Sequence, residues 1–196
     1  MKKDEYLPKL PVIYISPEVK IKLDTYIQLA EGEISGLGSI EIFGKQDFLI
    51  RELYLFNQTC TPSDTKLNRK VVAKFIYQMI HEGKNPAVIK LWWHSHADMP
   101  VFWSVGTDEK TIAGFKNEWM VSIVGNKAGE YLGRVDIFKP IRLSVDKLEL
   151  RVILVPDEEM RKLLAEEVAE KVVFTIPKEI QVNPKKATLN KKERNQ

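Results

Sequence analysis

Hydrophobic and polar positions alternate along this chain with two different periods, and the switches between them mark out the elements. Val19, Leu23, Tyr26, Ile27 and Ala30 recur at helical spacing behind Ser16-Pro17, a capping residue followed by proline at the first helical position. A helix from about Pro17 to Ala30 is predicted. Ile40 and Ile42, then Phe48, Ile50, Leu53 and Leu55, predict two antiparallel strands joined at Gly44-Lys45-Gln46-Asp47. Asn57 to Asp64 is rich in turn formers. Val71, Val72, Phe75, Ile76, Met79 and Ile80 then form a helical stripe closed by Gly83.

The run from Ala87 to Trp93 is apolar enough for a central strand buried on both faces, and it leads directly into His94. Beyond it, Met120 to Val124, Glu130 to Phe138 and Ile141 to Leu150 read as a strand meander, with Arg151 to Val155 continuing the last strand. Pro156-Asp157-Glu158-Glu159 opens a final helix with Met160, Leu163, Leu164, Val168 and Val172 on one side. Helix, strands, helix, strands, helix gives an α/β (α+β) arrangement. There is no internal repeat. Gly36-Leu37-Gly38 lacks the third glycine and the strand-to-helix context of a dinucleotide fingerprint.

With 196 residues, 44% of them hydrophobic, the chain can build one core without staples, and residues 1–176 are expected to form one domain. No apolar stretch is long enough to cross a membrane, and Met1-Lys2-Lys3-Asp4-Glu5 does not resemble a secretory leader. A cytoplasmic protein is expected. The net charge of +3 is concentrated at the end, where Lys178, Lys185, Lys186, Lys191, Lys192 and Arg194 face only Glu179 and Glu193. The rest of the chain is slightly acidic, so a nucleic-acid partner is not expected, and residues 177–196 read as a basic, solvated, disordered tail. The single cysteine, Cys60, excludes a disulfide framework and a thiolate-rich metal site. Any metal must be held by nitrogen and oxygen.

Only three histidines occur, His81, His94 and His96, and two are spaced i, i+2. On a strand that spacing sends both imidazoles to one face, where they can close on a single ion. Two imidazoles and a carboxylate suit zinc, and three protein ligands leave one position open for water, as in catalytic sites. Met99 stands where an HxHxDH dinuclear site needs its last histidine, and His81 belongs to the C-terminal end of the second helix. The carboxylate one short loop away is Asp108, at the start of a short helix predicted to reach about Lys116. As a residue type it suits an N-cap equally; the paired histidines favour ligation of one zinc ion per chain.

His94-Ser95-His96, seven residues, then Ser104 and a following Asp108, preceded upstream by the glutamate of Glu33-Ile34-Ser35-Gly36-Leu37-Gly38, resembles the motif of the JAMM/MPN (JAB1/MPN/Mov34) zinc metallopeptidases. The resemblance implies an MPN-like curved, mostly antiparallel sheet flanked by helices. It implies His94, His96 and Asp108 as metal ligands, Glu33 as general base and Ser104 as an oxyanion donor. Glu31 is the alternative base, and Ser104 is alternatively a turn residue. One departure stands out: Val105, Gly106 and Thr107 separate Ser104 from Asp108, where the family pattern has two residues. The glycine makes a one-residue bulge tolerable.

The resembling enzymes hydrolyse isopeptide or peptide bonds at ubiquitin, ubiquitin-like or sulfur-carrier proteins, so a protein or peptide substrate, ubiquitin-like in kind, is expected. Phe102-Trp103 either lines a substrate groove or packs against the metal loop, and Trp92 and Trp93 flank the ligands from within the strand. Two other readings follow from the same residues: a non-catalytic MPN-type scaffold, and a zinc hydrolase of a small amide. The sequence leaves the oligomeric state open.

Overall fold

The computed structural model describes residues 9–154 and 158–172. The chain divides into two units, Met1–Val155 and Pro156–Gln196. The first contains β1 (Ile13–Ile15), α1 (Pro17–Leu29), β2 (Ser35–Phe43), β3 (Asp47–Leu55), β4 (Gln58–Thr61), β5 (Asp64–Leu67), α2 (Arg69–His81), β6 (Ile89–Ser95), α3 (Asp108–Ala113), β7 (Trp119–Gly125), β8 (Tyr131–Ile137), β9 (Leu143–Leu148) and β10 (Leu150–Val152). The second contributes α4 (Glu158–Lys171). Among the described residues no helix is long and apolar enough to cross a membrane.

The fold is α+β. Eight strands form one mostly antiparallel sheet in the order β10-β1-β3-β2-β6-β7-β8-β9. Its two ends approach each other: β9 passes into β10 through Glu149 alone, and a methyl group on Gly133 of β8 would fall 2.5 Å from Ile13 Cδ1 of β1. The sheet is thus nearly closed.

Side-chain alternation along β6 divides the interior in two. Leu91 and Trp93 point to the side covered by α1, where they join Ile13, Ile15, Leu23, Ile27, Val121 and Ile123 in the main core. Trp92 points the other way and packs with Ile112 of α3 and Met120. Both tryptophans are buried, as a central strand requires. α2 and α3 lie on the Trp92 side, with Phe75 of α2 4.7 Å from the Tyr54 ring.

Several sequence expectations need correction. The turn-rich stretch from Asn57 contains the hairpin β4–β5, whose Thr-Cys-Thr and Thr-Lys-Leu segments pair across Pro62-Ser63. Residues beyond Leu150 do not continue the last strand of the meander. β10 crosses to β1 and pairs with it in parallel, Ile13 N donating to Glu149 O at 2.9 Å. The helix expected to reach Lys116 ends at Ala113, where Gly114 caps it. In α4, Leu163, Leu164 and Val168 are exposed, as is Val172 beyond it. The tail at 177–196 and the boundary expected at 176 lie outside the described residues.

Candidate metal centre

β6 delivers the two histidines. Ser35 of β2 lies opposite His94, and Leu37 opposite Trp92, so β2 and β6 present Ser35, His94, Leu37 and Trp92 on one face. Past the ladder, Ser95 N donates to Ile34 O at 2.8 Å, and Ile34 N donates to Ser95 Oγ at 3.1 Å. Continuing that register sets Glu33 opposite His96, on the side of the ligands. His96 N donates to Gly125 O of β7 at 2.9 Å, and the chain then turns sharply at Ala97, whose φ of 45° is left-handed.

Asp108 arrives from α3 and faces both rings: its Oδ1 is 3.1 Å from His94 Nε2, and its Oδ2 is 3.4 Å from His96 Nε2. All three side chains are buried. Their candidate ligand atoms lie within 4.8 Å of one another, so this group could hold a metal ion. Two observations support the fit. His94 has both ring nitrogens buried without a hydrogen-bond partner, so Nε2 stands beside the carboxylate without bonding to it. That is the arrangement of donors converging on a third body. His96 Nδ1 lies 3.0 Å from Pro100 O, a contact that places the ring proton on Nδ1 and leaves the Nε2 lone pair facing Asp108.

The charges suit a cation. Burial pushes the His94 imidazole below its usual pKa, against the opposing pull of Asp108, and keeps the ring neutral. Burial acts on His96 in the same sense, but Asp108 and the Pro100 carbonyl outweigh it and raise the net value. Burial alone would raise the Asp108 carboxyl, yet the adjacent imidazoles and the Ser104 N–H hold it well below the usual carboxylate range. Glu33 shows the reverse balance: burial raises it to about 7, His96 lowers it, and Asp108 and Asp64 raise it further. Glu33 is buried at 7% exposure, whereas Glu31 is exposed.

Ser104 and Asp108 are tied reciprocally. Ser104 N donates to Asp108 Oδ2 at 2.8 Å, and Asp108 N donates to Ser104 Oγ at 3.1 Å. Ser104 Oγ also contacts Thr107 Oγ1. The extra residue between them is absorbed in a turn in which Val105, Gly106 and Thr107 are all exposed. The neighbouring aromatics pack on the ligands: Trp92 stacks on His94 at 4.3 Å and Phe102 meets His96 edge-on at 4.6 Å. His81 lies at the end of α2, apart from the metal group.

Sequence reasoning missed two groups that support this site. Gln58 of β4 clamps the start of β2, accepting from Ser35 N at 2.9 Å and donating to Ser35 O at 3.0 Å. Arg134 and Asp136 on β8 are buried on the same face of the sheet as His94, paired at 2.7 Å, with Arg134 also bonded to Glu109 of α3. Charged residues at i and i+2 inside a strand bounded by apolar segments were the available signal.

No family model matches the chain, and no curated protein matches it. Among solved structures it is similar to protein DSY2949 from Desulfitobacterium hafniense, a solution structure. The two superpose with a TM-score of 0.55 over 76% of this chain and 98% of that one, at 13% identity. Likeness at that identity shows a shared fold and nothing further.

Proposed function

We propose that this protein is a zinc-dependent peptidase or isopeptidase of the JAMM/MPN kind, hydrolysing an amide bond in a protein or peptide, with an MPN-like fold. The observation that carries the reading is the buried His94–His96–Asp108 group with Glu33 in register beside it. His94, His96 and Asp108 hold the ion. When bound, zinc polarises a carbonyl and lowers the pKa of water from about 15.7 to about 7.

Glu33 handles the proton. Its carboxyl accepts a proton from the water attacking the amide carbon and delivers it to the departing nitrogen as the C–N bond breaks. Ser104 fixes the carboxylate of Asp108 through its N–H, and its hydroxyl proton is directed either to Thr107 or to a substrate oxygen.

The engagement of Ser104 with Asp108 and Thr107 favours the second reading, a scaffold that binds its partner without cutting it. One experiment separates the two. Purified protein is analysed for metal and incubated with ubiquitin-like fusions bearing different C-terminal tails. About one zinc per chain, lost in His96→Ala, with cleavage abolished by Glu33→Gln while zinc is retained, supports the peptidase. Absence of zinc from the parent protein, or equal cleavage by Glu33→Gln, refutes it.

A further inference from the structure

A groove of about 910 Å³ opens beside the metal centre, with Leu37 and Trp92 in its floor, β5 and the start of α2 on one side and α3 on the other. It starts at the chemistry: Ser35 in its lining lies opposite His94, Trp92 stacks on the His94 ring, and Lys110 follows Asp108 by two residues. A second cavity of about 580 Å³ shares Leu37, Val72 and Phe115 with it, so the two adjoin as one trough running from Ser35 and Trp92 towards Ile89 and Met120.

The floor is apolar and the rim is basic. Lys66, Arg69 and Lys110, all exposed, are the charged residues lining the groove, and Lys90, Lys116 and Glu118 are those lining the second cavity, so among the described residues the trough carries five cations to one carboxylate. Lys66 lies 3.4 Å from Asp64, whereas Arg69 and Lys110 have no ion-pair partner among the described residues. Two unpaired cations thus stand on the rim of the groove, next to the candidate metal group.

An extended polypeptide fits this pattern. Its side chains alternate every residue at about 3.3 Å rise, so one set can seat on Leu37, Val72 and Phe115 while the other reaches the rim. We propose that the trough holds an extended segment of the substrate in which acidic side chains alternate with apolar ones, so that acidic sequence next to the scissile bond is selected. The proposal rests on the peptidase reading for its bond to cut, but the binding itself does not depend on metal. A nucleic acid is the weaker match to a cationic trough, because Trp92 is only 5% exposed and offers no open ring on which a base could stack.

The test uses the full chain carrying Glu33→Gln, so that turnover does not interfere, and fluorescent peptides of one length in which apolar residues alternate with Glu, Ser or Lys. Fluorescence anisotropy is expected to show the Glu peptide binding roughly tenfold more tightly than the Ser peptide, with the difference shrinking as salt is added. Arg69→Glu with Lys110→Glu, which leaves three cations facing three carboxylates, should erase the preference, and Arg69→Gln with Lys110→Gln should weaken it. Both positions are exposed, and circular dichroism checks that each variant folds. Equal affinity for the three peptides, an unchanged preference after charge reversal, or tighter binding of a single-stranded RNA of equal charge would overturn the proposal. Protein that prefers acidic peptides but carries no zinc refutes hydrolysis and keeps the trough; zinc-loaded, active protein indifferent to peptide charge refutes the trough alone.

Discussion

Arg134 of β8 and Glu109 of α3 are joined by a two-pronged ion pair, with one prong at 3.3 Å, and Glu109 is the residue next to the candidate ligand Asp108. Asp136, fully buried, takes the other face of the same guanidinium at 2.7 Å. Burial would lower the Arg134 pKa, but these carboxylates raise it overall, so the pair stays charged. A six-residue helix has little stability of its own, and this clamp, together with the buried Ile112, fixes α3, and with it Asp108, against the sheet.

Replacing Arg134 with Met should therefore cost about 3–5 kcal/mol, because Asp136 is left as an uncompensated buried charge. Zinc affinity should fall roughly 10- to 100-fold, as for other losses of groups that orient a ligand. Arg134→Met with Asp136→Leu should recover stability but not metal affinity. Urea melts and competition with a chromogenic chelator measure the two separately; unchanged zinc affinity in both variants would break the link to Asp108.

Glu33 gives a pH signature in the metal-free protein. Its folded pKa of about 7 lies above the usual value for glutamate, so the fold prefers the neutral form. Below about pH 4.5 the group is protonated in both folded and unfolded chains and costs nothing. As pH rises to about 7 the unfolded state loses its proton first and stability falls; above 7 the full penalty remains. Glu33→Gln should melt higher than the parent at pH 8, by roughly 2–4 °C for each kcal/mol relieved, and equally at pH 4. A parent protein more stable than the variant at pH 8 would contradict the burial argument.

Ser104→Ala distinguishes two roles for its hydroxyl. If the hydroxyl serves as the acceptor for Asp108 N, the variant loses about 1 kcal/mol of stability and binds zinc more weakly. A pure oxyanion donor would instead lose on the order of 10²-fold in kcat with zinc affinity intact. The hydrogen bonds in place predict the first outcome, read by calorimetric titration of zinc alongside turnover.

Gly36 sits where β2 crosses the Trp93 ring. A methyl group there would lie 2.3 Å from Tyr54 O and 2.5 Å from the indole, and neither the strand nor the enclosed ring can withdraw. Gly36→Ala should destabilise by about 1–3 kcal/mol, as overpacked cores do, and shift the tryptophan emission. A melting temperature equal to the parent's would mean that β2 and β6 are farther apart than the register implies.

Much of this was legible in the chain. The i, i+2 histidines needed only the two-residue period of a strand to be placed on one face, and the apolar run into His94 identified β6 as central. Pro17 behind Ser16 marked the start of α1 to the residue. What escaped depended on contacts distant in sequence. Nothing near Leu150 says that it pairs with Ile13, and nothing near Arg134 says that Glu109 will reach it. The β4–β5 hairpin was hidden because its residues are mostly polar and none is buried, so no alternation of hydrophobicity marks the strands. Glu33 was preferred to Glu31 in the sequence only through the family resemblance; burial distinguishes the two on physical grounds.

The alternation along β6 also bears on how this chain can change over time. Trp92 and His94 lie on the face of the candidate metal group while Leu91 and Trp93 face the main core, so deleting or inserting one residue in the strand would send an imidazole into the hydrocarbon and a core side chain to that group. Substitutions there can be graded; changes of length cannot. The turn from Val105 to Thr107 is the opposite case, exposed and with open space around Gly106, and it holds an additional residue while Ser104 and Asp108 keep hold of each other. Insertions and deletions in related chains should therefore collect between those two residues and be absent from the seven residues of β6.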